Sequence, residues 1–139
     1  MTKLLTLILL ASGLAFAQDP GMHWFGYTFY SSDGTPLSAG EVAYVPVPRG
    51  CTLLHSWDLL INQPGTARVD VWRTAYPFFP TSANNITGGS SPVVNSGKHT
   101  YSTNLSAWKT TIAAHDVFAF YLAYITGGAT QATVVLACQ

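Results

Sequence analysis

The chain has 139 residues and carries six basic and six acidic side chains, a formal charge of zero, with 9% charged, 48% hydrophobic and 13% aromatic residues. This length fits one domain. The charge balance excludes an electrostatic nucleic-acid binder, which needs a Lys/Arg stripe to displace phosphate counterions. The composition also excludes a disordered tail, which needs low hydrophobicity and high charge. No phosphate-cradling Gly loop, Cys-x-x-Cys pair or His-Glu-x-x-His motif occurs, so nothing in the sequence points to nucleotide or zinc-hydrolase chemistry.

Residues 1–17 read as a secretory signal peptide. Lys3 is a short basic start, residues 4–10 are apolar apart from Thr6, and Ala15-Phe16-Ala17 is a small-x-small cleavage site before Gln18. The apolar run is shorter than the ~20 residues that span a bilayer, so no membrane span is expected after cleavage. Removing these residues takes Lys3 away and leaves residues 18–139, with five basic and six acidic side chains and a net charge of −1. The expected destination is secreted, extracellular or at the cell surface. In such an oxidising compartment Cys51 and Cys138 are the only possible intrachain disulfide. A reactive thiol or an intermolecular bridge are the alternatives, the thiol disfavoured by the lack of a neighbouring base.

The mature chain carries strand signals separated by Gly, Pro, Asn and Ser clusters, with no long helix. Residues 23–30 (HWFGYTFY) form an aromatic strand closed by a turn over 31–36. Residues 41–47 are extended, and Pro46 and Pro48 place them at an edge. Residues 51–61 alternate, with Cys51, Leu53, His55, Trp57, Leu59 and Ile61 on one face. Asn62-Gln63-Pro64-Gly65 reads as a turn into a strand over 66–74, with Ala67, Val69 and Val71 inward, so the two segments predict a β-hairpin.

Residues 75–97 hold Pro77, Pro80 and Pro92 and read as a long loop with one helical turn near 82–86. Strands follow over 98–103 and 110–112. Residues 117–125, apolar on both faces, predict a central strand, and residues 130–137, with Ala132, Val134 and Leu136 inward, the last one. Seven to eight short strands without a helix predict an all-β, antiparallel β-sandwich or jelly roll.

From about residue 40 to residue 136 the order of features resembles a domain of bacteriophage and prophage structural proteins, mostly tail fibres. The stretches that carry the resemblance are Cys51-Thr52-Leu53, Trp57-Asp58-Leu59-Leu60, Gln63 with Gly65, Val69-Asp70-Val71-Trp72-Arg73, Tyr76 and Pro80-Thr81-Ser82-Ala83. Ile86-Thr87-Gly88, Pro92, Leu105, Trp108, Ile112-Ala113-Ala114, Asp116 and Phe120 continue it. The resemblance implies an all-β module of a surface or virion fibre, homotrimeric and without enzymatic activity. The family pattern has no export signal and no counterpart of Cys138, and it has Gly where this chain has His115. A positive φ there is tolerated by His at some cost.

The sharpest functional signal is aromatic. Trp24, Tyr27 and Tyr30 lie in a strand with more ring area than one buried face uses, and Tyr76, Phe78 and Phe79 lie in the proline-stiffened loop. Rigid exposed rings suit a glycan or a protein partner, or self-association; the alternative is that they pack as core and beneath the loop. Trp57 reads as core, Trp72 falls on a polar face, and Trp108 reads as packing.

A small secreted hydrolase is the competing class, using His115 with Asp116, or Asp58 paired with Asp70 across the predicted hairpin. For His115-Asp116 the plainer reading is turn chemistry, with Asp116 capping backbone N–H groups. His23, His55, His99 and His115 lack ligand spacing, so neither a metal nor any other cofactor is expected. Asn85-Ile86-Thr87 and Asn104-Leu105-Ser106 are glycosylation sequons. A purely structural surface or filament subunit is the third class.

Overall fold

The computed structural model describes residues 21–139; the signal-peptide reading of residues 1–17 lies outside the described residues. Six strands form one antiparallel sheet: β1 (His23–Tyr30), β2 (Val42–Pro46), β3 (Leu54–Ala75), β4 (Val93–Ser102), β5 (Asp116–Ile125) and β6 (Gln131–Cys138). The order is β1-β6-β3-β5-β2, with β4 also on β3, and β1 and β2 approach across an unbonded seam so that the sheet nearly closes on itself. The all-β antiparallel class is as expected; the count is six rather than seven to eight.

The difference lies in β3. Residues 54–61 pair with β6 and residues 67–75 with β5, so no hairpin forms between them and a 22-residue strand runs through the predicted turn. Asn62, Gln63 and Pro64 have no ladder partners, and the register on β4 shifts on both sides of Gly65. Pro64 therefore sits in a bulge, where its missing N–H costs no ladder bond. The Asn62 side-chain oxygen accepts from the backbone N–H groups of Thr130 and Gln131 at 3.0 and 3.1 Å, clasping the β5–β6 connection to the bend. Gly65 is required there: a Cβ would lie 2.3 Å from the Thr126 carbonyl oxygen.

A second irregularity changes which side chains face inward. The β3–β6 register shifts between Leu54 and Ser56, so Leu54 is buried and Leu53 is exposed, the reverse of the strict alternation, while Trp57, Leu59 and Ile61 keep their places. Residues 110–112 contribute only an isolated bridge between Thr111 and Leu53. The predicted loop ends early, because β4 begins at Val93; its helical turn is a 3-10 turn over Ser82–Asn84.

The core collects the inward faces of all six strands, with Phe29, Leu59, Val69, Val71, Phe118, Phe120, Leu122 and Leu136 fully buried. β5 is central between β3 and β2, and β2 is an edge. Cys51 and Cys138 form an intrachain disulfide with Cα atoms 5.4 Å apart, and Gln139 accepts from the N–H groups of Thr52 and Leu53 at 2.7 and 2.9 Å. The chain end is thereby pinned to the start of β3.

After β1 the Asp33 carboxylate accepts from the Thr35 hydroxyl at 2.7 Å, the Thr35 backbone N–H at 3.0 Å and the Ser31 hydroxyl at 2.8 Å. These bonds to the charged form lower its pKa from 3.8 to about 2, the Thr35 hydroxyl contributing most. A depressed folded pKa stabilises above the unfolded value and loses that contribution as pH falls through the folded one. Asp33 is thus expected to titrate near 2 by carbon-detected NMR. Asp33→Ala should flatten the pH dependence of stability between the two values; an ordinary midpoint would refute the turn's role.

Candidate aromatic binding surface

All six candidate rings are solvent-exposed: Trp24 65%, Tyr27 43%, Tyr30 66%, Tyr76 71%, Phe78 68% and Phe79 68%. The core takes Phe25 and Phe29 of β1 instead. The six do not form one surface, for three lie along the β1 edge and three beyond the end of β3.

The second group is built by the way β3 stops. After Ala75 the chain turns, with the Phe78 N–H donating to the Ala75 carbonyl at 3.1 Å, and buried Pro80 seats the far end. The Thr81 N–H donates to Asn84 Oδ1 at 2.9 Å and fixes the exit into the 3-10 turn. Between these two anchors Tyr76, Phe78 and Phe79 project outward. Phe79 meets Tyr44 of β2 edge to face at a centroid distance of 4.9 Å. With Val45, Pro46, Pro77 and Val117 they line an open hollow of about 250 Å³. The lining is apolar except for two phenol groups.

Tyr44 was not singled out from sequence. Its signal was the period-two pattern of Val42, Tyr44 and Pro46, which sets three apolar side chains on the outer face of an edge strand. Next to them Trp72 stacks on Tyr121 at 5.0 Å, with ring planes 22° apart. That contact gives Trp72 its place on an otherwise polar face. Trp57 is core, and the indole N–H of buried Trp108 donates to the Ser90 carbonyl at 2.9 Å.

The residues weighed for hydrolysis are not assembled for it. His115 is exposed with φ 67°, in the left-handed region. Its neighbour Asp116 is buried, accepts from the Ala113 N–H at 2.9 Å and pairs with Arg73 at 3.5 Å. The Arg73 guanidinium also donates to the Thr111 carbonyl. Asp116 therefore does turn work and ties the 111–116 segment to β3.

Asp58 and Asp70 belong to one strand rather than facing strands. They sit twelve residues apart, roughly 40 Å of extended chain. Asp58 meets His99 at 2.8 Å, whereas Asp70 accepts from Ser91 at 2.7 Å and pairs with Arg68 at 3.3 Å. Among the described residues no three His, Cys, Asp or Glu side chains gather at metal-binding distance. No helix among them is long and apolar enough to cross a membrane. No protein-family model matches the chain, and no curated protein matches it.

Proposed function

We propose that this chain is an exported, non-enzymatic β-module that docks onto a protein partner through the Tyr44/Tyr76/Phe78/Phe79 surface. The observation that carries the reading is the loop of three rings, each about two-thirds exposed, held between a backbone turn and a buried proline. Rings fixed in this way lose little freedom on binding, and aromatic anchors dominate protein interfaces. The apolar lining favours a protein surface over a sugar, since glycan sites set hydrogen-bonding groups beside their rings. The signal-like residues 1–17 and the disulfide support export. The resemblance of residues 40–136 to tail-fibre domains points to the same class, a module that binds or assembles.

The triple variant Tyr76→Ala/Phe78→Ala/Phe79→Ala tests it. Labelled chain should bind the surface of the cells that produce it, and protease treatment of those cells should abolish binding while periodate should not. The variant should bind at least ~10-fold more weakly, as for a lost hot spot, with Tm moved by only a few degrees. Unchanged binding refutes the assignment; binding that survives protease but not periodate makes the target a glycan; a collapse in Tm shows the rings to be structural.

A further inference from the structure

Among the described residues three strand edges lack a ladder partner, on β1, β2 and β4, and β1 comes near β2 only locally. An unpaired edge invites pairing with another chain, and proteins blunt it with proline, lysine or a bulge. β2 carries Pro46 within the strand. β4 carries exposed Lys98, left-handed Ser96 (φ 49°) and the register break at Gly97. β1 carries none of these: His23–Tyr30 is an eight-residue strand with no proline, no formally charged side chain and an unbroken register on β6.

Ser31 donates its N–H to Thr130 at 2.9 Å, one step beyond β1 in the same register. Bonded and non-bonded pairs alternate in an antiparallel ladder. His23, Phe25, Tyr27 and Phe29 therefore bond toward β6. The N–H and C=O groups of Trp24, Gly26, Thr28 and Tyr30 point to the open edge.

We infer that the β1 edge pairs with β1 of a second copy of this chain, antiparallel, about a two-fold axis at Tyr27. That register sets Trp24 opposite Tyr30 of the second copy, Gly26 opposite Thr28, and Phe25 opposite Phe29, each pair on one face of the joined sheet. It is the register that engages all four outward residues of both copies; moving the axis by one residue leaves Tyr30 or Trp24 unmatched. The two Tyr27 rings, exposed at 43% beside the core face, cover each other at the axis. Trp24 and Tyr30 from two copies make four rings about two-thirds exposed. At ~150–250 Å² per fully buried ring, they supply roughly half of the ~1,200 Å² of a small stable interface. The backbone edge and Tyr27 supply the rest. This contact is separate from the Tyr76/Phe78/Phe79 surface and stands or falls independently of it.

Sedimentation equilibrium of the full chain, in the processed form in which it is recovered, should show the mass rising from one chain to two across the micromolar range. Thr28→Pro removes one outward N–H while leaving the β6 ladder intact, and should stay at one chain. Tyr27→Cys places two thiols at the axis, where directly opposite Cβ atoms lie ~4.5–5.5 Å apart. It should form a covalent dimer under non-reducing conditions, whereas Thr28→Cys, opposite Gly26, should not. A single-chain mass at every concentration, a three-chain mass, or equal cross-linking of the two cysteine variants each overturns the inference.

Discussion

Replacing Cys51 and Cys138 by serine is expected to lower the unfolding free energy by about 2–5 kcal/mol, the usual cost of losing such a bridge. The bond closes a loop with a sequence separation of 87, which contains β3, β4, β5 and all of β6 up to its last residue, Cys138. The cross-link restricts the unfolded chain, and loop entropy grows slowly with length, so a loop of this size stands near the top of that range. Both cysteines are buried, at 3% and 0% exposure, so their replacement also leaves small polar groups in an apolar site. Urea unfolding with and without reductant measures the effect. The oxidised protein should unfold at higher urea than either the reduced protein or the double serine variant. Identical midpoints for all three would show that the hydrogen bonds of Thr52, Leu53 and Gln139 hold the chain end alone.

Phe118→Ala should cost a further ~3–5 kcal/mol on its own, the range for deleting a fully buried Phe. Phe118 is 0% exposed on the central strand β5 and meets Phe25 of β1 at 4.9 Å in an edge-to-face contact. β1 and β5 are not neighbours in the sheet, so this contact packs one side of the closing sheet onto the other. Removing the ring leaves a cavity that rigid flanking strands fill poorly. Phe78→Ala is the control: at 68% exposure it should change stability by no more than ~0.5 kcal/mol. Urea midpoints with unchanged slopes would confirm both values. Similar losses for the two variants would place Phe78 in the core and undo the docking surface.

Much of the architecture was legible because alternation and turn chemistry are local. The edge position of β2 followed from Pro46, and the central position of β5 from apolar residues on both faces. The inward set of Ala132, Val134 and Leu136 followed from period two. Asp116 at its turn was also readable, because turn residues declare their own conformation, whereas the positive φ at His115 is a conformation its own residue type does not announce.

The failures share one cause. Asn62-Gln63-Pro64-Gly65 has the composition of a hairpin turn, but a turn and a bulged bend use the same residues. Choosing between them depends on strands that arrive more than fifty residues later. The side chains of Asp58 and Asp70 are parted by that choice. The swap of Leu53 and Leu54 has the same origin, since the bulge beside Ser56 is set by pairing with the chain end at Cys138.

For the candidate surface, the sequence by itself placed six aromatic residues in one strand and one proline-stiffened loop and left open whether they are core, interface or ligand surface. It limited any intrachain disulfide to Cys51 with Cys138, because only two thiols exist, and the fold brings them together. Tertiary structure alone decided that the rings part into two surfaces, that Tyr44 joins one of them, and that β1 keeps an open edge. Exposure and edge position belong to what packs beside a residue, and in a sheet that neighbour is chosen by long-range pairing.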